Sequence, residues 1–156
     1  MSAFTTPLKI EALENRRWRI LEAFGFYSDQ DDHVVCVPEG FETDFASIPR
    51  AVWWLLPPYG DTYGKAAVIH DYLYAKQPLW CTRKRADQMF LEGMKVLGAN
   101  WACRTVMYQS VRWFAGKAWE NHAKRIKYKA WENHAKRIAK RTVAEILEER
   151  RGDNGA

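Results

Sequence analysis

At 156 residues, 47% of them apolar and 28% charged, the chain is long enough to bury a core of its own and is not composed like a disordered or fibrous protein. Three cysteines, Cys36, Cys81 and Cys103, show no CxxC spacing, which argues against a disulfide framework and a structural zinc site and fits a reducing compartment. The net charge of +5 is unevenly placed: residues 1–116 hold 13 Lys or Arg against 13 Asp or Glu, and residues 117–156 hold 11 against 6. Eight Trp, seven Tyr and seven Phe imply an aromatic core.

Residues 1–7 have neither a basic nor an apolar leader region, so no signal peptide is expected. Residues 8–12 alternate with period two, residues 17–26 are dense in strand formers, and residues 33–37 are β-branched between Asp31-Asp32 and Pro38. A small antiparallel sheet or hairpin follows from these runs, with Glu39-Gly40 supplying a turn before Phe41. From residue 47 the signals become helical. Ser47 and Pro49 suit the start of a short helix that Pro57 ends, and its apolar run, residues 51–56, falls far short of the roughly 18 residues a membrane span needs.

Asp61 or Thr62 can cap a helix over 63–76, Thr82 one over 83–97 closed by Gly98, and Asn100 one over 101–115 that Gly116 interrupts. The expected architecture is α+β: a small N-terminal antiparallel sheet packed on about four helices, with a basic C-terminal helix. The expected division is a core over 1–116 and a helical tail over 117–156.

The tail repeats itself. The ten residues 117–126 recur letter for letter at 129–138, an offset of 12. On a straight helix that offset turns the second copy by about 120°, so Trp119 and Trp131 do not share a stripe. The reading that fits best is a solvated basic helix with an apolar edge. Docking to a protein partner through 117–156 is the next, and Glu120, Glu132, Glu145, Glu148 and Glu149 dilute the charge enough to disfavour nucleic acid.

Residues 66–74 carry an adjacent His70-Asp71 pair on an apolar background. Polar groups taken out of water cost roughly 1–3 kcal/mol each without partners, so this pair must be hydrogen-bonded, metal-bound or catalytic. His70 and Tyr74 share a helix face, while Asp71 points about 100° away. Asp87, three and seven residues before Phe90 and Met94, belongs to the buried stripe of the next helix, where it can face His70 or pair with Arg83. A carboxylate holding one imidazole nitrogen leaves the other as a general base; the same bond can simply clip two helices together. Asp44 and Asp71 can offer oxygens to a hard cation, although Asp44 also suits an Asx-turn.

The order Phe41-xx-Thr43-Asp44-Phe45-Ala46-Ser47-Ile48-Pro49-Arg50, Ala67-xx-His70-Asp71-xx-Tyr74, Arg83-xx-Ala86-Asp87-xx-Phe90 and Tyr108-xx-Val111-Arg112 resembles a phage and prophage family classed as a domain of unknown function, over about residues 35–115. That resemblance implies a viral or prophage origin. His70-Asp71-xx-Tyr74 with the Asp44-xx-Ser47-x-Pro49 element, Asp87 and the 108–116 segment is also similar to bacterial secreted phospholipases A2. The similarity implies an ester hydrolase acting on lipid, with His70 as base, Asp87 as its orienter, Tyr74 as a supporting hydroxyl, and calcium held by Asp71 and the Asp44 loop. A helical metal phosphohydrolase built on His33, His70-Asp71 and Asp87 fits less well, because His33 lies in a strand-like run. The alternative to an enzyme is a virion component or accessory protein that binds a viral or host partner.

Overall fold

The computed structural model describes residues 1–44 and 62–153, and within them strands precede helices in an α+β layout. The short helix expected after Ser47, the Phe45 to Arg50 part of the first motif and the Asp61 cap lie outside the described residues.

Among the described residues six strands form two three-stranded antiparallel sheets. The first orders β1 (Ala3–Phe4), β4 (Phe24–Ser28) and β5 (His33–Val37), and the second orders β2 (Ile10–Ala12), β3 (Trp18–Ile20) and β6 (Glu42–Thr43). β5 shows why the sequence alternates: Val35 and Val37 are buried, while Val34 is 62% exposed. Phe26 pairs with Val35 and Phe24 with Val37, so the inward side chains of the two strands meet on one face.

The run dense in strand formers over 17–26 holds two strands, in different sheets. Residues 21–23 are exposed and carry the chain from β3 to β4. There the Leu21 N–H still bonds the Lys9 carbonyl at 2.9 Å and Glu22 pairs with Lys9 at 2.5 Å, so the ends of β2 and β3 stay together while the chain turns away.

Among the described residues four α-helices follow: α1 (Gly64–Lys76), α2 (Arg83–Val96), α3 (Trp101–Phe114) and α4 (Gly116–Asp153). Thr82 and Asn100 cap α2 and α3, their side chains accepting from the N–H groups of Arg85 and Cys103. The N-cap of α1 is Tyr63, with no side-chain capping bond, and not the expected Thr62. Burial explains the difference, since Tyr63 is only 3% exposed and its ring joins the core. Gln77 in the left-handed region ends α1, and Gly98 at φ +75° follows α2, a conformation glycine adopts without strain.

α1 and α2 pack closely because their contact residues are small. A Cβ added at Gly93 would lie 2.8 Å from the Ala66 Cβ. Around this contact Phe24, Phe26, Ile69, Leu73, Met89, Phe90 and Met94 are each at most 2% exposed, and full burial of such side chains is worth about 1.5–3 kcal/mol each. α3 adds Cys103, Met107, Ser110 and Val111 from one face.

The chain divides into two compact units, Met1–His122 and Ala123–Ala156. Among the described residues no helix is long and apolar enough to cross a membrane.

Candidate functional site

α1 is buried around most of its circumference, and α2 presents its polar side chain at position 87 into that contact. His70 is 1% exposed and Asp87 fully buried. His70 Nε2 lies 2.8 Å from Asp87 Oδ1, and the Tyr74 hydroxyl donates to the same oxygen at 2.7 Å. One helical turn separates His70 from Tyr74, which is why both reach a single carboxylate oxygen; their ring centroids are 4.2 Å apart. The Phe90 ring, 5.2 Å from the imidazole, closes the apolar side.

The other oxygen, Asp87 Oδ2, accepts from Arg112 Nη1 at 2.7 Å. Arg112 comes from the last turn of α3, so three helices converge on one carboxylate. Arg83 does not pair with Asp87, the alternative its spacing allowed; its Nη1 donates to the Arg112 carbonyl at 3.2 Å instead. Trp119, in the first turns of α4, lies edge-on to Tyr74 with centroids 5.0 Å apart, and its carbonyl accepts from Gln77 Nε2 at 2.7 Å.

The electrostatics follow from these partners. Burial alone would push the Asp87 carboxyl up, but the hydrogen bonds from His70, Arg112 and Tyr74 outweigh it and hold the group below its ordinary value of 3.8. Burial, then the bond to ionised Asp87, pushes the Tyr74 phenol up, so it remains a donor. The same bond to Asp87 raises Arg112. Because Asp87 is an ionised acceptor, His70 Nε2 carries the hydrogen, and in the neutral ring Nδ1 holds the lone pair.

Nδ1 faces Asp71, whose Oδ1 is 4.0 Å away, too far for a direct hydrogen bond and near enough for both to bind one water. Asp71 is held in turn by the Thr43 hydroxyl, which donates to Oδ2 at 2.5 Å from the end of β6. The Asp71 side chain is 10% exposed, so the polar chain runs from the buried Asp87 outward to the surface.

The residues singled out from sequence therefore separate into two groups. His70, Tyr74 and Asp87 share direct bonds, with Asp71 beside them. Asp44 is exposed, and no group of three or more His, Cys, Asp or Glu side chains set to hold a metal occurs among the described residues. Asp71 Oδ2 accepts from Thr43, and the rest of the Asp44 loop, whose carbonyls would complete the six to eight oxygens calcium takes, lies outside the described residues. His33 sits apart from the Asp87 cluster, its Nδ1 at 2.9 Å from the Asp31 carbonyl and its ring 4.6 Å from Trp80.

Sequence reasoning gave no role to Arg112 or Thr43, although both stand in the motifs quoted above. A second buried carboxylate on α2 was also not read from sequence. Glu92 is 5% exposed and accepts two bonds from the Ser28 hydroxyl, at 3.0 and 2.9 Å, and one from Ser2. Arg85 bridges this group, donating to Ser28 at 2.8 Å and Glu92 at 3.4 Å and pairing with Asp31.

No curated protein and no solved structure matches the chain. A family match does cover more than half of it, from β3 to the buried face of α3, and takes in Thr43, His70, Asp71, Tyr74 and Asp87 while stopping one residue short of Arg112. On that match, over residues 18–111, the chain belongs to the family described as protein of unknown function (DUF1353).

Proposed function

We propose that the Asp87 cluster is a hydrolytic site in which His70 is the general base, Asp87 orients it, and an ester of a lipid is the substrate class. The observation that carries this reading is the contact of His70 Nε2 with Asp87 Oδ1 at 2.8 Å, with Nδ1 turned toward Asp71. An imidazole held at one nitrogen by an ionised carboxylate has a fixed tautomer, and the imidazolium formed on taking a proton is stabilised where it forms. Tyr74 and Arg112 pin both oxygens of Asp87, so the ring orientation is set before substrate arrives.

In the proposed step Nδ1 takes a proton from a water placed between it and Asp71. The water oxygen bonds to the ester carbonyl carbon. The C–O bond to the alcohol then breaks, and the alcohol leaves with the proton that His70 returns. No step is routed through calcium. The role that the phospholipase A2 similarity assigns to it, at Asp71 and Asp44, is tested by running the same assay with calcium and with a chelator.

The test is hydrolysis of dispersed phospholipid and of a soluble ester by the purified chain and by His70→Asn. General-base loss lowers the rate by about 10²–10⁴-fold. Folding of the variant is checked by thermal melting. A chain that hydrolyses neither substrate, with or without calcium, leaves the cluster as a helix clip and ends this reading.

A second reading has its own observation. Tyr128 and Trp131 are 63% and 65% exposed in the second unit, as expected of a surface that receives a partner. On it, the chain is a phage virion component or accessory protein, and removing residues 123–156 abolishes assembly with its viral or host partner. The phage setting rests on the motif resemblance; in it the protein acts in the host cytoplasm or within the virion.

A further inference from the structure

The C-terminal repeat puts two identical tryptophans in different surroundings. Trp119 lies against Tyr74 and Gln77, whereas Trp131 is 65% exposed. The offset of 12 places the second copy on a face of its own, turned about 120° around the helix axis.

That face has a definite composition. Tyr128, Trp131, Ala135 and Ile138 succeed one another at 3, 4 and 3 residues, the spacing of one helix face. The Tyr128 and Trp131 rings are 6.2 Å apart, and Ile138 is 52% exposed. Arg125, Lys129, Lys136 and Lys140 are exposed and recur at 4, 7 and 4 residues on a second face, about 130° away, while exposed Lys124 and Lys127, each four residues before an aromatic, lie beside the Tyr128 and Trp131 rings, where their long stems can reach back from the apolar face. From 123 to 140 there are seven Lys or Arg and one acid, Glu132, which is paired with Lys136 at 2.7 Å.

We infer that the 124–140 stretch of α4 is a docking surface for an anionic lipid bilayer. A basic helix with aromatic and aliphatic side chains on its other face lies in the plane of a membrane interface: the rings enter the headgroup boundary, and the Lys and Arg stems reach back to the phosphates. Charge complementarity selects this occupant over a second copy of the chain, whose basic stretch would bring like charges together. The apolar face selects it over nucleic acid, because a phosphate backbone would leave Trp131 and Ile138 wet. The inference does not depend on the hydrolytic reading above, and it gives Tyr128 and Trp131 to a bilayer in place of the protein partner of the second reading.

The experiment uses the full chain and vesicles of ether-linked lipid, which contain no ester to cleave, so its failure is distinct from failure of the hydrolase. Vesicles of one part phosphatidylglycerol to two parts phosphatidylcholine sediment with the protein at physiological salt, and pure phosphatidylcholine vesicles do not. Trp131→Ala combined with Tyr128→Ala weakens the binding by about tenfold or more. Both substitutions lie on an exposed helix face and leave hydrolysis of a soluble ester unchanged. Equal binding by the double variant, no sedimentation with the anionic vesicles, or displacement from them by equimolar duplex DNA each overturns the inference.

Discussion

α2 carries two buried carboxylates five residues apart, and they differ in every partner. Asp87 takes its hydrogen bonds from an imidazole, a phenol and a guanidinium supplied by α1 and α3. Glu92 takes its own from Ser28, Ser2 and Arg85, which tie α2 to the β1–β4 edge of the first sheet. Both groups satisfy the rule that a buried charge must be paired and hydrogen-bonded. Burial and pairing therefore do not separate a reactive site from a structural clip. What separates them is that one Asp87 partner, His70, has a second ring nitrogen, a basic lone pair turned toward Asp71, while the Ser28 and Ser2 hydroxyls around Glu92, which also accept from Arg85 and from the Asp29 N–H, carry no basic nitrogen.

The largest expected difference between the clusters is in rate. Asp87→Asn keeps the shape of the side chain but no longer fixes the imidazole tautomer, and ester hydrolysis falls by about 10²–10⁴-fold. Glu92→Gln leaves the rate per folded molecule within about twofold and costs about 1–3 kcal/mol of stability, since Arg85 and Ser28 keep a polar neighbour of weaker acceptance. Steady-state rates and urea midpoints of the two variants check this. Equal rate losses would mean that neither cluster is the site, because both would then act only by holding α2 in place.

Acid separates the folded chain from its Asp87→Asn variant in a second way. The Asp87 carboxyl lies below 3.8 when folded, so its ionisation stabilises the protein at every pH above the unfolded value. That stability is lost as pH falls through the folded value. The gap in melting temperature between the native chain and Asp87→Asn should stay constant from about pH 7 down to about pH 5 and close below 3.8. A gap that closes well above 3.8 would show that the hydrogen bonds to Asp87 do not outweigh its burial.

The comparison also shows what could be read from sequence. His70 and Asp87 were legible because each breaks an apolar helical pattern, and the spacing of His70 and Tyr74 placed both on one face. Arg112 was not, because it sits in the last turn of α3, where a basic residue already suits the helix dipole and calls for no other explanation. Glu92 was not, because its partners lie 64 and 90 residues earlier, one in β4 and one just before β1, where no local pattern specifies the pairing with α2. The split of the 17–26 run escaped for a related reason. Ile20 and Phe24 are both buried and keep one alternation phase, so the change of sheet between them leaves no mark on the period.

Two buried tyrosines bring the contrast down to single hydroxyls. The Tyr74 hydroxyl donates to Asp87, an ionised acceptor, at 2.7 Å. The Tyr63 hydroxyl has no hydrogen-bond partner among the described residues, and burial pushes its phenol up to about 12. A bond to a charged group is worth about 1.5–3 kcal/mol, so Tyr74→Phe destabilises by that order. Tyr63→Phe removes a desolvated group that gains nothing in return, and is neutral or stabilising by up to about 1 kcal/mol. Urea midpoints of the two variants decide it. A loss at Tyr63 as large as that at Tyr74 would mean that a buried polar atom in this core needs no acceptor to contribute, and the distinction drawn between the Asp87 cluster and its surroundings would fail with it.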